Sequence, residues 1–582
     1  MASLSSDTLA ARPIPSGTML YVSLLVELLR SRPELLFWMA TLAQALLWII
    51  VPTLTYSAPP GNVPLMLAAG HEWVAGSRLG PPLANWLAEI AFDLFGHRLF
   101  GIYLLSQVCV VTSLWAVFTL SRSIVGAHHA VMAVLLMTGI IAFSLPTPEF
   151  GPSVLAMPLT AFALLHYWRA VGEGRRRYWL ALGLDLGLLL LTTYAGLILL
   201  GLLALFTFST AQGRASLANL EPWLGGMVAV LIVFPHLMWI DRTGGASAEA
   251  VPDASALLVA AGRLAGWLQL IGWLIAFHAG ALMLLLVAGG LKVDPRAAAP
   301  VFERAPVPPF AKKFVYTFAV APALVGTLLS VLLGKPAPIG GTGPLVILSA
   351  LGVIVAAGDV IRLHRQSILG RVWLAVLLVP PATVIGATIL LPWTLGIGFE
   401  IDRPAGAMGQ FFTDTFHRRT AGPLRIVAGD AEVAGLVAMA SSDRPSLFLP
   451  EKPELTPWVS DADVRDTGAI LLWQVTDNTG APPAAIKSRF PDLVAEVPRS
   501  FERPVQGRLP APRRRSSPAG AARNAAQSGN ARPRISLRCI RLRSEPSFND
   551  TPRLRGPCRE RPNRRTPHRR RSAATAPRSR AA

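Results

Sequence analysis

The sequence predicts a polytopic α-helical membrane protein with about eleven transmembrane helices, a small α/β domain after them and a disordered tail. Three observations predict it. Of 582 residues, 52% are hydrophobic and only 15% are charged, a balance that a water-soluble domain of this size could not bury. Apolar runs long enough to cross about 30 Å of hydrocarbon recur from Leu35 onward. The basic residues between those runs fall mostly on alternate sides, as cytoplasmic loops require.

The runs lie at about 35 to 56, 99 to 121, 125 to 145, 150 to 168, 179 to 192, 194 to 208, 223 to 240, 257 to 289, 315 to 334, 343 to 361 and 372 to 397. The fifth and sixth are short and meet at Thr192-Thr193-Tyr194, so a helical hairpin that reaches only part of the way across fits them as well. The first run is too long, and its flank too acidic, for a cleaved signal peptide. With the N-terminus inside, 17 basic residues are internal, among them Arg175-Arg176-Arg177, Lys312 and Lys313. Five are external or at outer helix ends: Arg78, Arg98, Arg242, Arg263 and Lys335. An odd number of spans then puts the segment after Trp393 outside, which in a bacterial inner membrane is the periplasm.

The formal charge of +20 belongs to the tail. From Arg508 onward there are 21 Arg, no Lys and three acids, whereas the preceding 507 residues carry 33 basic and 31 acidic groups. That tail, set among Pro, Ser and Ala, has no apolar period and is expected to be disordered. Arg without Lys is also what a shifted GC-rich reading frame yields. With the basicity confined there, the rest of the chain gives no reason to expect a nucleic-acid partner. The expected divisions are a cytoplasmic segment 1–34, a transmembrane part 35–397 with an outer loop at 57–97, a periplasmic α/β domain 398–507, and the tail 508–582. In the α/β part, Leu424 to Val427, Ser446 to Leu449 and Ala469 to Trp473 have strand character, with a helix from Ala431 to Ala440. Gly429-Asp430 is expected to be a strand-ending turn and helix cap, with a ligand turn as the alternative.

Cys109, Cys539 and Cys558 are not paired in metal spacing, and there is no Walker loop, HExxH or dinucleotide fingerprint. No metal and no cofactor is expected. His166, His236 and His278 stand alone in sequence and are expected to be packed or interfacial imidazoles, since a metal site needs several convergent ligands. Asp185, inside the fifth run, is expected to pair with Arg175 to Arg177.

The outer loop Ser57 to His97 holds Glu72, Glu89 and Asp93. From Leu83 to Phe95 its apolar residues follow helical spacing, which suits a helix lying along the membrane surface with Glu89 and Asp93 on a solvated face. Glu72, between His71 and Trp73 and before a Gly-rich turn and Pro81-Pro82, is a carboxylate at the membrane boundary, a place suited to a general base. Glu149, in the next outer turn beside Pro146 and Pro148, is placed to face the same cavity.

Tyr56-Ser57-Ala58-Pro59-Pro60, Gly70-His71-Glu72-Trp73 and Gly80-Pro81-Pro82-Leu83 resemble the first periplasmic loop of bacterial family 39-like glycosyltransferases. That group includes aminoarabinose, galacturonic acid and protein O-mannosyl transferases. The stretch Trp168 to Leu197 and the segment Phe234-Pro235-His236 to Trp239 extend the resemblance over roughly residues 35 to 240. It implies a GT-C-like fold and a transferase that moves a sugar from a polyprenyl-phosphate donor to a lipid, glycan or protein acceptor at the outer face. On that resemblance Glu72 is the base, Arg98 either neutralises phosphate or anchors the helix at the interface, and Pro81 and Pro82 shape the turn. Asn62, His71, Glu149, Thr193 and Tyr194 are candidates for donor or acceptor binding. The chain departs from the family where it has Asn62 for an acidic residue, Gly80 for His and Thr193 for Lys. Two rival readings follow: a lipid or glycan transporter or flippase, against which stands the lack of two related halves, and a catalytically inactive paralogue.

Overall fold

The computed structural model describes residues 26–243, 260–289, 300–363, 365–395, 398–474, 482–490, 499–501 and 536–537. Apart from the last two, the tail from 508 lies outside the described residues, and with it the expectation of disorder.

Among the described residues six helices are long and apolar enough to cross a membrane, and a seventh crossing is a bent pair. Helix α1 (Pro33–Thr55) starts at a proline, with Glu34 in its first turn near the positive end of the helix dipole and paired to Arg122. Leu35, Trp38, Met39, Leu42, Leu46 and Leu54 are exposed along one side, while Leu36, Phe37, Ala40, Gln44 and Trp48 are buried on the other. An apolar exposed stripe on an apolar helix is a surface for lipid.

Two short helices stand on the loop after α1: α2 (Val63–His71) and α3 (Leu83–Leu94). Next comes α4 (Leu99–Met137), in which Gly126 has φ 78° and ψ 168°, so two helices meet there. Only glycine takes that backbone without strain. Helix α5 (Pro152–Tyr167) follows the turn at Glu149. Helices α6 (Tyr178–Leu190) and α7 (Gly196–Ser209) have 13 and 14 residues, about 20 Å each at the helical rise, and form a short hairpin about Thr192-Thr193-Tyr194. Helix α8 (Glu221–Arg242) lies against α6 so closely that a Cβ on Gly183 would sit 2.1 Å from the Gly225 carbonyl oxygen. Small residues permit such approach in lipid, where dispersion rather than water drives helix contact. Helices α9 (Ala260–Phe277) and α10 (Ala279–Gly289) form the pair bent by 58°. His278 fixes the break: its Nδ1 bonds to the Leu274 carbonyl at 2.7 Å and its Nε2 to Ser349 Oγ at 3.0 Å. Helices α11 (Pro309–Leu332), α12 (Ser349–Ala356) and α13 (Gln366–Thr394) complete the bundle. At one end, strands β1 (Val301–Glu303) and β2 (Val360–Arg362) pair antiparallel. The largest core joins α4, α5, α11 and α12, with Tyr167 stacked on Phe314 at 6.0 Å between centroids.

After α13, helix α14 (Ala405–Thr420) leads into a three-stranded parallel sheet of β3 (Ile426–Gly429), β4 (Ser446–Phe448) and β5 (Ile470–Leu472), in the order β4-β3-β5. Helix α15 (Ala431–Ala440) connects β3 to β4. The strands are short and apolar because both faces are covered. Gly429 has φ +139°, and a Cβ there would fall 1.8 Å from the Leu472 carbonyl oxygen, so the chain needs glycine for strand contact. Asp430 caps α15, its Oδ1 accepting from the Glu432 N–H at 3.3 Å.

Two expectations about charge do not hold. Glu89 is 1% exposed rather than solvated. Asp185 meets His166 (Nδ1 to Oδ2, 2.6 Å) instead of the arginines. Arg175 pairs with Glu173 at 3.1 Å, and Arg169 and Arg177 lie over the Tyr178 ring.

Candidate active site

The loop that follows α1 turns at Gly61, whose φ of +58° leads the chain into α2. A side chain is excluded there twice over, because a Cβ would lie 1.8 Å from Glu149 Oε1. Asn62 precedes the helix, and its backbone N–H donates to Glu149 Oε1 at 3.3 Å. Helix N-termini leave such donors unsatisfied and favour a negative charge beside them. Two residues 87 apart in sequence are thereby brought together.

They share a cavity of about 500 Å³. Its wall takes Leu65 and Met66 from α2, Asn85 from α3, Ser153 and Met157 from α5, and Thr342 beyond α11. Glu149 is the ionisable side chain in that wall. A smaller cavity of about 60 Å³ also reaches Gly61 and Asn62 and adds Glu400, Arg403 and Glu432 from the C-terminal segment. Arg403 bonds to Glu432 Oε2 at 2.6 Å, and its Nε is buried without a partner among the described residues. Sequence reasoning did not single out Arg403, and nothing in its local pattern marks it.

Glu72 caps the end of α2, with Oε1 buried and unpartnered among the described residues. It is not in the wall of the larger cavity. Its neighbour Trp73 has φ +49° and stacks on Trp86. Pro81 and Pro82 are buried, and the Leu83 N–H that follows donates to the Leu191 carbonyl at 3.1 Å. The loop is anchored to the α6–α7 hairpin a second time. His236 Nδ1 donates to the Ala75 carbonyl at 2.8 Å, which leaves Nε2 to accept from the Tyr194 hydroxyl at 2.9 Å. Far from isolated, His236 is the link between loop and hairpin. Thr193 Oγ1 accepts from the Ala195 N–H at 3.2 Å and borders a small void. Arg98 is exposed at the start of α4, away from both cavities.

Gly340 and Gly341 pack between the hairpin and the polar cavity, with Cβ positions 2.6 Å from Ala195 Cβ and 2.4 Å from Ser153 Cβ. On the hairpin's other side, α6, α7 and α8 enclose an apolar cavity of about 640 Å³, with Tyr194 and His236 in its wall.

His71 and Glu89 belong to a different cluster. Glu89 accepts from Arg444 Nη2 at 2.7 Å on one oxygen and meets His71 Nδ1 at 3.1 Å on the other. Arg444, with φ +49°, also lies over the Phe92 ring at 4.9 Å. Burial pushes the Glu89 carboxyl up, but the bonds from His71 and Arg444 outweigh it and leave it below the ordinary value. The bond to Glu89 raises the His71 imidazole against burial and the Arg444 charge. Asp93 and His97 make a separate exposed pair at 3.0 Å. Among the described residues no cluster of three metal-ligating side chains occurs.

Residues 80–239 match the family described as dolichyl-phosphate-mannose-protein mannosyltransferase. Among solved structures, the chain is similar to ArnT from Cupriavidus metallidurans bound to undecaprenyl phosphate, with 15% identity and a TM-score of 0.39 over 83% of this chain and 96% of that one. The same protein in its apo state matches at 14% identity with a TM-score of 0.38, over 83% and 96%. The archaeal oligosaccharyltransferase AglB from Archaeoglobus fulgidus, in complex with an inhibitory peptide and a dolichol-phosphate, gives 12% and 0.36 over 74% and 65%. No curated protein matches.

Proposed function

We propose, from the premise that this membrane-embedded chain is related to the GT-C glycosyltransferases through residues 80–239, that it transfers a sugar from a polyprenyl-phosphate donor to a hydroxyl acceptor in the Glu149 cavity. The observation that carries the proposal is the pairing of a polar cavity holding one carboxylate with an apolar cavity behind the α6–α7 hairpin. Lipid-linked sugars need both environments: a dry channel for the prenyl chain and a polar chamber for sugar and acceptor. In the transfer, the acceptor oxygen bonds to the anomeric carbon, the bond from that carbon to phosphate breaks, and polyprenyl phosphate leaves. Glu149 takes the acceptor proton. Its contact with the Asn62 N–H fixes one carboxylate oxygen and leaves the other toward the cavity as the acceptor of that proton. Arg403, beside Asn62, is the cation best placed in these walls to meet the phosphate. Asn62 and Asn85 orient hydroxyls, and Tyr194 with His236 frames the inner end of the prenyl channel.

A second reading keeps Glu72 as the base, and its unpartnered buried oxygen favours it. Opening the loop at Gly76 to Gly80 would bring Glu72 to substrate.

The finer topology belongs to this proposal. Gly126 divides α4 into two crossings, the short hairpin counts as two more and the segment 342–356 as one, so eleven crossings put the α/β segment on the side of the loop. That side is the periplasm of a bacterial inner membrane, with the N-terminus cytoplasmic. The domain limits 35–397, 398–507 and 508–582 go with it. Sugar and acceptor are open among lipid, glycan and protein, with no metal or cofactor assigned.

Two measurements test the reading. A reporter active only outside should be active after Asp430 and silent after Arg176; the reverse pattern would invert the topology. Purified protein should consume a polyprenyl-phosphate sugar when acceptor extracts are supplied. Absence of turnover with hexosyl and pentosyl donors alike would leave the inactive-paralogue reading.

A further inference from the structure

At the opposite end of the bundle from the loop, a cavity of about 310 Å³ lies between α4, α10, α12, α13 and strand β2. Leu136, Leu285, Ile354 and Trp373 line it, and Arg362 and Gln366 stand at its polar margin. Trp373 is held in place, its Nε1 donating to Thr138 Oγ1 at 3.1 Å. Around the cavity Leu286, Val360, Ile368 and Leu374 are exposed, so its walls run into the surface that faces lipid.

Arg362 is fixed by the register of β2, opposite Val301. It is exposed and has no ion-pair partner among the described residues. Of the acids nearby, Asp359 is engaged by Arg304 Nε at 3.3 Å, and Glu303 stands opposite Val360 across the strand pair. Lys312, Lys313 and Arg371 are exposed at the same end of their helices. An apolar slot that opens to lipid and ends at an uncompensated guanidinium matches one chemistry: an acyl chain with a phosphate at its head. Basic margins between transmembrane helices select anionic headgroups, and Arg meets phosphate through its planar fork.

We infer that this cavity is a binding site for an anionic phospholipid, one acyl chain lying against Leu136, Leu285 and Trp373 and the headgroup phosphate on Arg362. The site is independent of the sugar-transfer reading, because it shares no residue with the cavities at the other end.

Native mass spectrometry of the detergent-purified full chain tests it, with dioleoyl phosphatidylglycerol and dioleoyl phosphatidylcholine as the added probes. The anionic phosphatidylglycerol should be retained in preference to the zwitterionic phosphatidylcholine, and Arg362→Glu should weaken its retention about fivefold to tenfold. Gly289→Leu fills the slot without changing charge. It should give the same loss, since a Cβ at Gly289 meets nothing within 4 Å and folding is not strained. Arg176→Glu, an exposed arginine ahead of α6 and outside the lining, should retain lipid as the wild type does. Equal retention of the two lipids, or undiminished retention in both Arg362→Glu and Gly289→Leu, would overturn the site. So would a rise in retention on deleting residues 2–24, which would mean that the chain's own N-terminal segment occupies the slot.

Discussion

Replacing Arg444 by alanine should loosen the α/β segment from the loop helices more than any other single change in the outer part of the chain. Glu89 is 1% exposed and the Arg444 side chain 11% exposed, so the substitution leaves a buried carboxylate facing only His71. Breaking one side of a buried pair costs about 3–5 kcal/mol, far above the 0–1 kcal/mol of an exposed pair. The contact of Arg444 with Phe92 adds up to about 2 kcal/mol when desolvated, while His71, which still meets Glu89, returns part of the loss; alanine keeps a Cβ, so the positive φ at position 444 is no less strained. A net cost of about 3–5 kcal/mol corresponds to roughly two to three and a half orders of magnitude in local opening. Hydrogen exchange of the β3 amides, Ile426 to Gly429, reads that opening. Glu89→Gln should raise it less, by about 1.5–3 kcal/mol, because the amide still bonds to Arg444. Glu89→Leu combined with Arg444→Met should recover most of the protection, as apolar replacement of both partners does elsewhere. Unchanged exchange in Arg444→Ala, with Asp93→Asn as the surface control, would refute the claim that this pair holds the segment.

Three further outcomes follow from the geometry. Gly61→Ala should lower sugar transfer and cost about 1–3 kcal/mol in stability, because the methyl displaces Glu149 and the backbone is left-handed; kinetics and thermal unfolding of one preparation measure both. Tyr194→Phe leaves His236 Nε2 without its donor, a loss of about 1–3 kcal/mol for a buried acceptor, and should speed proteolysis between Gly70 and Gly80. With pH, Glu89, whose folded value is lowered, adds stability above its ordinary 4.5 that is lost as pH falls through the folded value. His71, whose folded value is raised, adds stability below its ordinary 6.5 that is lost as pH rises through the folded value. Exchange protection of β3 should therefore peak between about pH 4.5 and 6.5. A flat profile would mean that neither group is coupled to the packing.

What the sequence made legible was what depends on local pattern. The apolar runs mark α1, α5, α8, α11 and α13 because each crossing must satisfy its own backbone within one segment. Helix Ala431–Ala440 has the bounds its composition suggests, flanked by the strands that its Gly-Asp turn announces. The resemblance in the outer loop points to the family that residues 80–239 match. Charge pairing was not legible. Glu89 and Asp93, four apart, suggest one solvated face, but the partner that buries Glu89 is 355 residues away. Asp185 lies close in sequence to three arginines, yet the antiparallel packing of α5 and α6 hands it His166. The same limit applies to Glu149 and Asn62, whose cavity forms only when three helices and a turn converge. The break between the second and third runs was readable at 122–124, but the joint itself, Gly126, falls inside the third run and was not.

In the proposed reaction Glu149, in the polar cavity, takes the acceptor proton. The most direct test of this role is the rate of transfer from a polyprenyl-phosphate sugar by purified Glu149→Gln beside purified Glu72→Gln. Both substitutions keep size and hydrogen-bonding capacity while removing basicity. Glu149→Gln should lose about 10² to 10⁴ in rate, the usual worth of a general base, with donor binding retained, and Glu72→Gln should stay close to wild type. A wild-type rate in Glu149→Gln together with a collapse in Glu72→Gln would refute this role for Glu149 and move the base to the end of helix α2.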